Sequence, residues 1–212
     1  MSVLQALLDS TYPGDLLLGM VTNFEIAALA LIMGLALGVP MAFALTGGTL
    51  ARRLVVPLLA LMRAAPTFVV MFFLLNVIPY EFVFAGQVRR PSGAWIVAFA
   101  LVPYAAAYVA DNGRDALISL RRSSAEGAYL FLPNVVRCFL VLVMTSSTGA
   151  AIGVNEGVAV VLREAERWPL LSEKLVVFGV GVFAFGLVFQ AGFALMRVVV
   201  AAIKVRQTRL SG

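Results

Sequence analysis

The chain has 212 residues, of which 62% are hydrophobic and only 13% are charged. A soluble domain is nearer about 45–50% apolar and about 25% charged, so this composition excludes a soluble enzyme, a disordered chain and a nucleic-acid-binding protein with a basic face. Histidine is absent and the only cysteine is Cys138, which excludes an internal disulfide and removes the commonest metal ligand. The composition therefore predicts a membrane protein.

Five stretches are long enough to cross a bilayer, which takes about 20 mostly apolar residues. We predict an all-α polytopic membrane protein of five transmembrane helices that forms a single domain over residues 1–212. The segment before the first helix lacks the basic start of a signal peptide and is expected to form a short surface helix. The predicted transmembrane helices are residues 19–46, 54–79, 92–113, 135–162 and 174–203.

Ionisable residues inside apolar helices are costly and usually face a bundle interior or an aqueous path. Arg63 is expected in the middle of the second helix, next to the helix-breaking Pro66,. It either braces the kink, pairs with an acid, or belongs to a gate or pathway. Glu156 follows Asn155 in the fourth helix and either binds a substrate ammonium group, makes an interhelical hydrogen bond, or pairs with Arg63.

The loop after the third helix contains a signal for a further short helix. Ser123 is followed three residues later by Glu126, which is the spacing of a capping box,. We predict a helix over residues 123–133 that stops at Pro133. Its small residues, Gly127 and Ala128, would let a partner approach closely; alternatively, Glu126 merely caps a linker helix on the membrane.

The basic residues predict the orientation of the chain. Connections on one side of the five helices carry ten lysines and arginines, and those on the other side carry five. Short loops rich in lysine and arginine stay in the cytoplasm. We therefore expect the N-terminus outside, the C-terminus inside, and the 123–133 helix on the cytoplasmic face.

Several stretches resemble the membrane (permease) subunits of ABC importers for polar amino acids, the histidine, glutamine and arginine uptake group. The start of the first helix at 19–22 is similar to that family's G-x-x-x-T, and residues 62–73 to its R-G-T-P-L-L-V-Q-x-F-F segment. Residues 107–114, followed by Glu126-Gly127-Ala128, resemble A-Y-x-A-E-x-x-R and the E-A-A coupling motif. Asn155-Glu156 resembles a G-N-E element.

The resemblance implies a transporter subunit in a bacterial inner membrane rather than an enzyme. The cytoplasmic helix, with Ser123, Glu126, Gly127 and Ala128, would dock on an ABC ATPase that itself binds the ATP and magnesium, so that no cofactor is expected in this chain. Arg121 and Arg122 would add attraction to an acidic rim or to lipid headgroups. An external amino-acid-binding protein would deliver the solute to a path lined by Arg63, Pro66, Asn155 and Glu156.

The coupling motif departs from the family pattern. Leu132 stands where the motif has glycine, Thr145 replaces a later proline, and the Asn155-Glu156 pair comes about two residues early. Five helices form half of a pore, so a second permease is expected, and the degenerate motif predicts a heterodimer in which that partner carries more of the coupling. Glu156 favours a basic amino acid as substrate.

Two other classes of function stay open from the residues alone. A membrane enzyme acting on lipid would need a metal or a nucleophile at one interface, for which the chain offers Asp111, Asp115 and Glu126. A non-transporting scaffold or a channel is the second alternative. An ATP-binding cassette protein that copurifies with the chain would separate the importer from both.

Overall fold

The computed structural model describes residues 2–78, 81–84, 87–89, 92–122 and 126–210. They form eight α-helices, one 3₁₀-helix and one antiparallel hairpin of three-residue strands, which pairs Phe82 with Arg89. The elements are α1 Val3–Leu8, α2 Tyr12–Thr46, α3 Thr49–Ala64, α4 Thr67–Val77, β1 Phe82–Phe84, β2 Gln87–Arg89, α5 Gly93–Arg121, α6 Glu126–Ser146, the 3₁₀-helix Ser147–Ile152, α7 Gly157–Glu166 and α8 Leu171–Leu210.

Four helical segments are long and apolar enough to cross a membrane by themselves: Tyr12–Thr46, Gly93–Arg121, Phe131–Ile152 and Leu171–Val198. Helices α3 and α4 reach that length only together, and they are bent by 95° at the break between them. The predicted all-helical class is confirmed, with four spans or five if the bent pair is one span. The direction in which the chain crosses the membrane stays a prediction.

Helices α2 and α5 form the centre of the molecule and run parallel in very close contact. A Cβ on Gly34 would lie 2.5 Å from the Ala105 Cβ, and one on Gly38 would lie 2.6 Å from the Ala106 carbonyl oxygen. One helical pitch further along, Gly113 of α5 meets Ala42 of α2. Small residues at matching heights therefore let the two backbones approach, as is common between helices in membranes.

The second predicted span, residues 54–79, is two helices in the structure. Ala65 and Pro66 are extended, with ψ of 111° and 119°, between α3 and α4. Proline disfavours the helical conformation of the residue before it and has no amide hydrogen to continue the helix. Arg63 consequently lies in the last turn of α3 and not in the middle of a straight helix.

The structure also differs from the prediction around residues 113–162. Helix α5 continues to Arg121, whereas we expected it to end at 113, and α6 runs from Glu126 through Pro133 to Ser146. Pro133 therefore does not end a separate helix over 123–133, whose first residue, Ser123, lies outside the described residues. An internal proline costs a helix one backbone hydrogen bond, and other helices of this chain contain one at Pro40 and Pro103.

The remaining boundaries differ for related reasons. Helix α2 begins at Tyr12 instead of residue 19, because Pro13 lies in its first turn, where no helical amide bond is lost,. The predicted fourth span at 135–162 is interrupted between the 3₁₀-helix and α7. The fifth helix, α8, is longer at both ends than the predicted 174–203, and only 11% of its most apolar window is buried in the chain.

The close contact of α2 with α5 predicts a large effect of a single methyl group. Gly38→Ala is expected to lower the free energy of unfolding by about 1–3 kcal/mol, since the new Cβ meets a backbone oxygen that no rotamer change can move. Gly14→Ala is the matched control, because a Cβ on this residue of α2 would have no neighbour within 4 Å. Unfolding in mixed detergent micelles measures both, and equal stabilities of the two variants would contradict the close contact.

Candidate functional site

The fourth span is broken by four residues that are not helical. The 3₁₀-helix ends at Gly153, whose φ of +80° is a left-handed conformation that glycine adopts without strain,. Val154 then packs into the core, and Glu156 takes the position immediately before α7. The chain thus restarts a helix inside the protein, where the first amides of α7 need partners.

Glu156 supplies those partners. Its side chain is completely buried, and its carboxylate accepts hydrogen bonds from the Ala159 amide at 2.9 Å and the Val158 amide at 3.0 Å. The Asn23 side-chain amide donates a third bond, at 2.8 Å, from helix α2. A carboxylate at this position also interacts favourably with the positive end of the helix dipole.

Asn23 completes the connection between the first and fourth spans. Its Oδ1 accepts the Gly157 amide at 3.0 Å, and its Nδ2 also contacts the Ser146 hydroxyl at 2.9 Å. The Ser146 hydroxyl in turn donates to the Val143 carbonyl at 2.7 Å. We refer to Asn23, Ser146, Glu156 and the amides of residues 157–159 as the Asn23–Glu156 network.

Glycine lets α2 reach this network. A Cβ on Gly19, one turn before Asn23, would lie 2.9 Å from the backbone of Glu156 and Gly157. A Cβ on Gly157 would lie 2.5 Å from the Phe185 ring of α8. The start of α7 is therefore enclosed by α2 on one side and by α8 on another, and any larger residue at either glycine would push these elements apart.

The other residues predicted for the translocation path lie apart from this network. Asn155 is exposed, and its Oδ1 accepts a hydrogen bond from the Arg163 guanidinium. Arg63 pairs with Asp111 of α5 through its Nε, which lies 3.1 Å from Oδ2, and through its Nη2. The side chains of this ion pair are 49% and 44% exposed, so it contributes little to stability.

Arg63 therefore does not neutralise Glu156. Val154, two residues before Glu156, packs against Gly93 at the start of α5. Asp111 lies 18 residues further along the same helix, which is about 27 Å. The ion pair and the Asn23–Glu156 network accordingly lie far apart along α5.

The residues predicted to contact an ATPase flank the turn between α5 and α6. Arg121 donates to the Thr46 carbonyl at 2.7 Å and so caps the end of α2, while Arg122 follows the last residue of α5 and is exposed. Glu126, Gly127 and Ala128 form the first turn of α6.

A hydrogen bond of 2.6 Å from Asn134 Nδ2 to Asn112 Oδ1 joins α5 and α6 two turns beyond these residues. The sequence analysis did not assign a structural role to four of the residues that organise these sites. Asn23 carries no charge and was overlooked by a search for ionisable groups, although an amide in an otherwise apolar span is itself a signal. Asp111 was named as an acid that a membrane enzyme could use and not as the partner of Arg63, from which it is 48 positions distant in the sequence. The local sequence pattern does not predict the hydrogen bond between Asn112 and Asn134.

Comparison with known proteins gives similarity at the level of the fold. No protein-family model matches the chain, and no curated protein sequence matches it significantly. A solved structure described as "Crystal structure of an amino acid ABC transporter with histidines" matches with a TM-score of 0.70. The match covers 95% of this chain and 99% of that chain at 12% sequence identity. At this identity the two chains are shown to share a fold.

The Asn23–Glu156 network predicts a stability effect for one carboxylate. Glu156→Ala is expected to lower the free energy of unfolding by about 1–3 kcal/mol, because it leaves buried amide donors without an acceptor. Glu156→Gln keeps one acceptor oxygen and is expected to cost less. Glu166→Ala, at an exposed position of the same helix, should change stability by less than about 0.5 kcal/mol. Thermal unfolding in detergent compares the three, and an unchanged Glu156→Ala protein would refute the role assigned to the carboxylate.

Proposed function

We propose that this chain is the membrane-spanning permease subunit of an ATP-driven importer for amino acids. The observation that carries this proposal is the fold, which matches a chain of an amino acid ABC transporter over 95% of the present sequence. The motif resemblances in residues 17–165 support it independently, since they come from the sequence and not from the coordinates. A fold alone does not establish an activity, so the function requires the test described below.

The chain would form half of a translocation path. Its described helices pack around α2 and α5 and leave much of α8 uncovered, which suits a subunit that meets lipid and a second permease. We propose a heterodimer in a bacterial inner membrane, because the coupling motif of this chain is degenerate. The charge distribution supports an outside N-terminus and a cytoplasmic C-terminus. The resemblance to amino-acid importers supports an external amino-acid-binding protein, which would deliver solute to the face opposite the ATPase.

The turn between α5 and α6 is the proposed docking site for the ABC ATPase. Ser123, Glu126, Gly127 and Ala128 would seat in the ATPase, with Arg121 and Arg122 at the rim, and the ATPase would bind ATP and magnesium. Both flanking helices are long and continuous, so a displacement of the turn would move α5 and α6 together. The hydrogen bond between Asn112 and Asn134 supports this, because it holds the two helices to one another near the turn.

The substrate is proposed to be a basic or polar amino acid. The structurally similar transporter is described with histidines, which supports a polar amino acid with a basic side chain. Asn155, Arg63 and Pro66 remain candidates for lining the path. Glu156 is completely buried and its carboxylate already accepts three hydrogen bonds, so we assign it an indirect contribution through the loop that it holds.

The alternative of a membrane enzyme has less support. It would draw on Asp111 as a metal ligand or general base, and the Asp111 carboxylate is engaged by Arg63. No observation favours a scaffold or a channel over a transporter subunit.

The proposed docking site is tested by one substitution and its control. Gly127→Trp should abolish copurification of the cognate ABC ATPase and reduce vanadate-sensitive ATP hydrolysis at least tenfold, because an indole would prevent close seating of the turn. Gly14→Trp introduces the same side chain in the first turn of α2, where a Cβ has no neighbour within 4 Å, and should leave both measurements unchanged.

The outcomes of this experiment distinguish a wrong importer proposal from a wrong docking site. If the unmodified chain copurifies with no ABC ATPase from cells that express all the subunits, the importer proposal is wrong. If the ATPase copurifies equally well with Gly127→Trp, the importer proposal survives but its docking site lies elsewhere.

A further inference from the structure

Helix α3 packs crosswise against its neighbours. It has 16 residues and is therefore about 24 Å long,, yet its one buried residue is Leu59. Its partly buried residues join a single apolar cluster with short stretches of α2 and α5. This cluster consists of Leu59, Val55, Met62, Met41, Leu45, Ala107 and Ala110.

The partners of α3 lie within a limited layer of the molecule. Because α2 and α5 run parallel with Ala42 opposite Gly113, residues 41–45 and 107–110 lie within about 14 Å of one another along the bundle, which is less than the length of α3. The ion pair between Arg63 and Asp111 attaches the far end of α3 to the same layer. A helix lying alongside α2 and α5 would instead contact them over most of its own length.

Helix α4, in contrast, follows α5 back through the molecule. Met71 is fully buried in the central core, and Ile78 at the end of α4 packs into the cluster that contains Ile96 near the start of α5. The 95° bend at Ala65 and Pro66 therefore separates a helix that lies along the bundle from one that lies across it.

The layer occupied by α3 coincides with the end of the apolar part of α5. Residues 93–110 of α5 carry no charge and extend about 27 Å, close to the hydrocarbon thickness of about 30 Å,. Asp111, Arg114 and Asp115 follow at once. Helix α3 consequently packs where the uncharged part of α5 ends.

The uncovered surface of α3 is amphipathic. Leu50, Leu54, Leu58 and Leu61 are 42–74% exposed and recur at the spacing of one helix face. We call them the leucine stripe. Arg52 and Arg53 are exposed as well, and their mean direction lies roughly 145° from the stripe at the helical period. An exposed apolar face opposite arginines is typical of helices that lie in a membrane interface.

We propose that α3 lies in the plane of the membrane surface, with its leucine stripe among the upper acyl chains and with Arg52 and Arg53 bound to anionic phospholipid headgroups. Charge complementarity identifies the occupant, because α3 presents two adjacent exposed guanidinium groups and contains no acidic residue. The inference requires a membrane-embedded chain but not the transport function proposed above.

The position of α3 is tested by depth measurements on the full chain. Single cysteines replace Leu50 and Leu61 in a Cys138→Ala background and carry nitroxide labels in vesicles of 3:1 phosphatidylcholine and phosphatidylglycerol. Collision rates with oxygen and with a water-soluble nickel chelate give the depth of each label. The two labels should lie at depths within about 5 Å of each other, whereas a helix that crosses the bilayer would separate them by about 16 Å, which would overturn the proposal.

The lipid preference is tested by thermal unfolding of the delipidated chain. Added phosphatidylglycerol should raise Tm more than phosphatidylcholine does, and Arg52→Gln/Arg53→Gln should remove roughly 4–8 °C of that difference. Arg163→Gln/Arg167→Gln changes two exposed arginines of the α7 region and should retain it. If the two labels lie at equal depths but the chain shows no such preference for phosphatidylglycerol, α3 does not bind anionic headgroups. That outcome would also refute the proposal.

Discussion

Hydrocarbon contains no water to bond the backbone groups that a broken helix frees, so every interruption of a membrane span needs partners from the protein. The interruption of the fourth span is the clearest case. Glu156 and Asn23 together accept the first three amides of α7, at distances of 2.9–3.0 Å. The two side chains come from positions 133 residues apart and also bond each other. The packing of α7 against α2 on one side and against α8 on the other depends on this network.

The second interruption, at Ala65 and Pro66 between α3 and α4, also frees backbone groups, but no buried side chain among the described residues bonds them. Proline removes an amide donor at Pro66, and Ala65 becomes extended. No side chain in the described part of the chain caps α4; instead, α3 turns away from the direction of α4 at a bend of 95°. One break is therefore buried and satisfied internally, while the other, if α3 lies in the membrane surface as we propose, is satisfied by water and headgroups. Arg63 ties this second break to α5 through an exposed ion pair that can form and break at little cost.

The sequence predicts the class of the fold well, because long uncharged runs have few alternatives to membrane helices. It also predicts that Arg63 and Pro66 accompany a helix break. It does not predict that α6 passes through Pro133, since an internal proline is tolerated when neighbouring helices support the backbone. The sequence likewise does not predict the hydrogen-bond partner of Glu156, because Asn23 is distant in sequence and uncharged. Pairing between spans depends on how helices pack, and a single sequence carries little information about this.

Closely packed small residues and buried caps give the molecule a rigid centre made of α2, α5 and the start of α7. Helices α5 and α6, which precede and follow residues 123–125, extend from that centre, which is the arrangement a subunit needs if it is to transmit a movement across the membrane. In the proposed function, this movement would open and close the solute path.

The most direct measurement is ATP-driven uptake by a reconstituted assembly of this chain with its cognate second permease, ABC ATPase and binding protein. With ATP and magnesium on the ATPase side, vesicles should accumulate radiolabelled histidine or another polar amino acid above its external concentration. The accumulation should disappear when vanadate is added or the binding protein is omitted. An intact assembly that hydrolyses ATP but accumulates none of the amino acids would contradict the account.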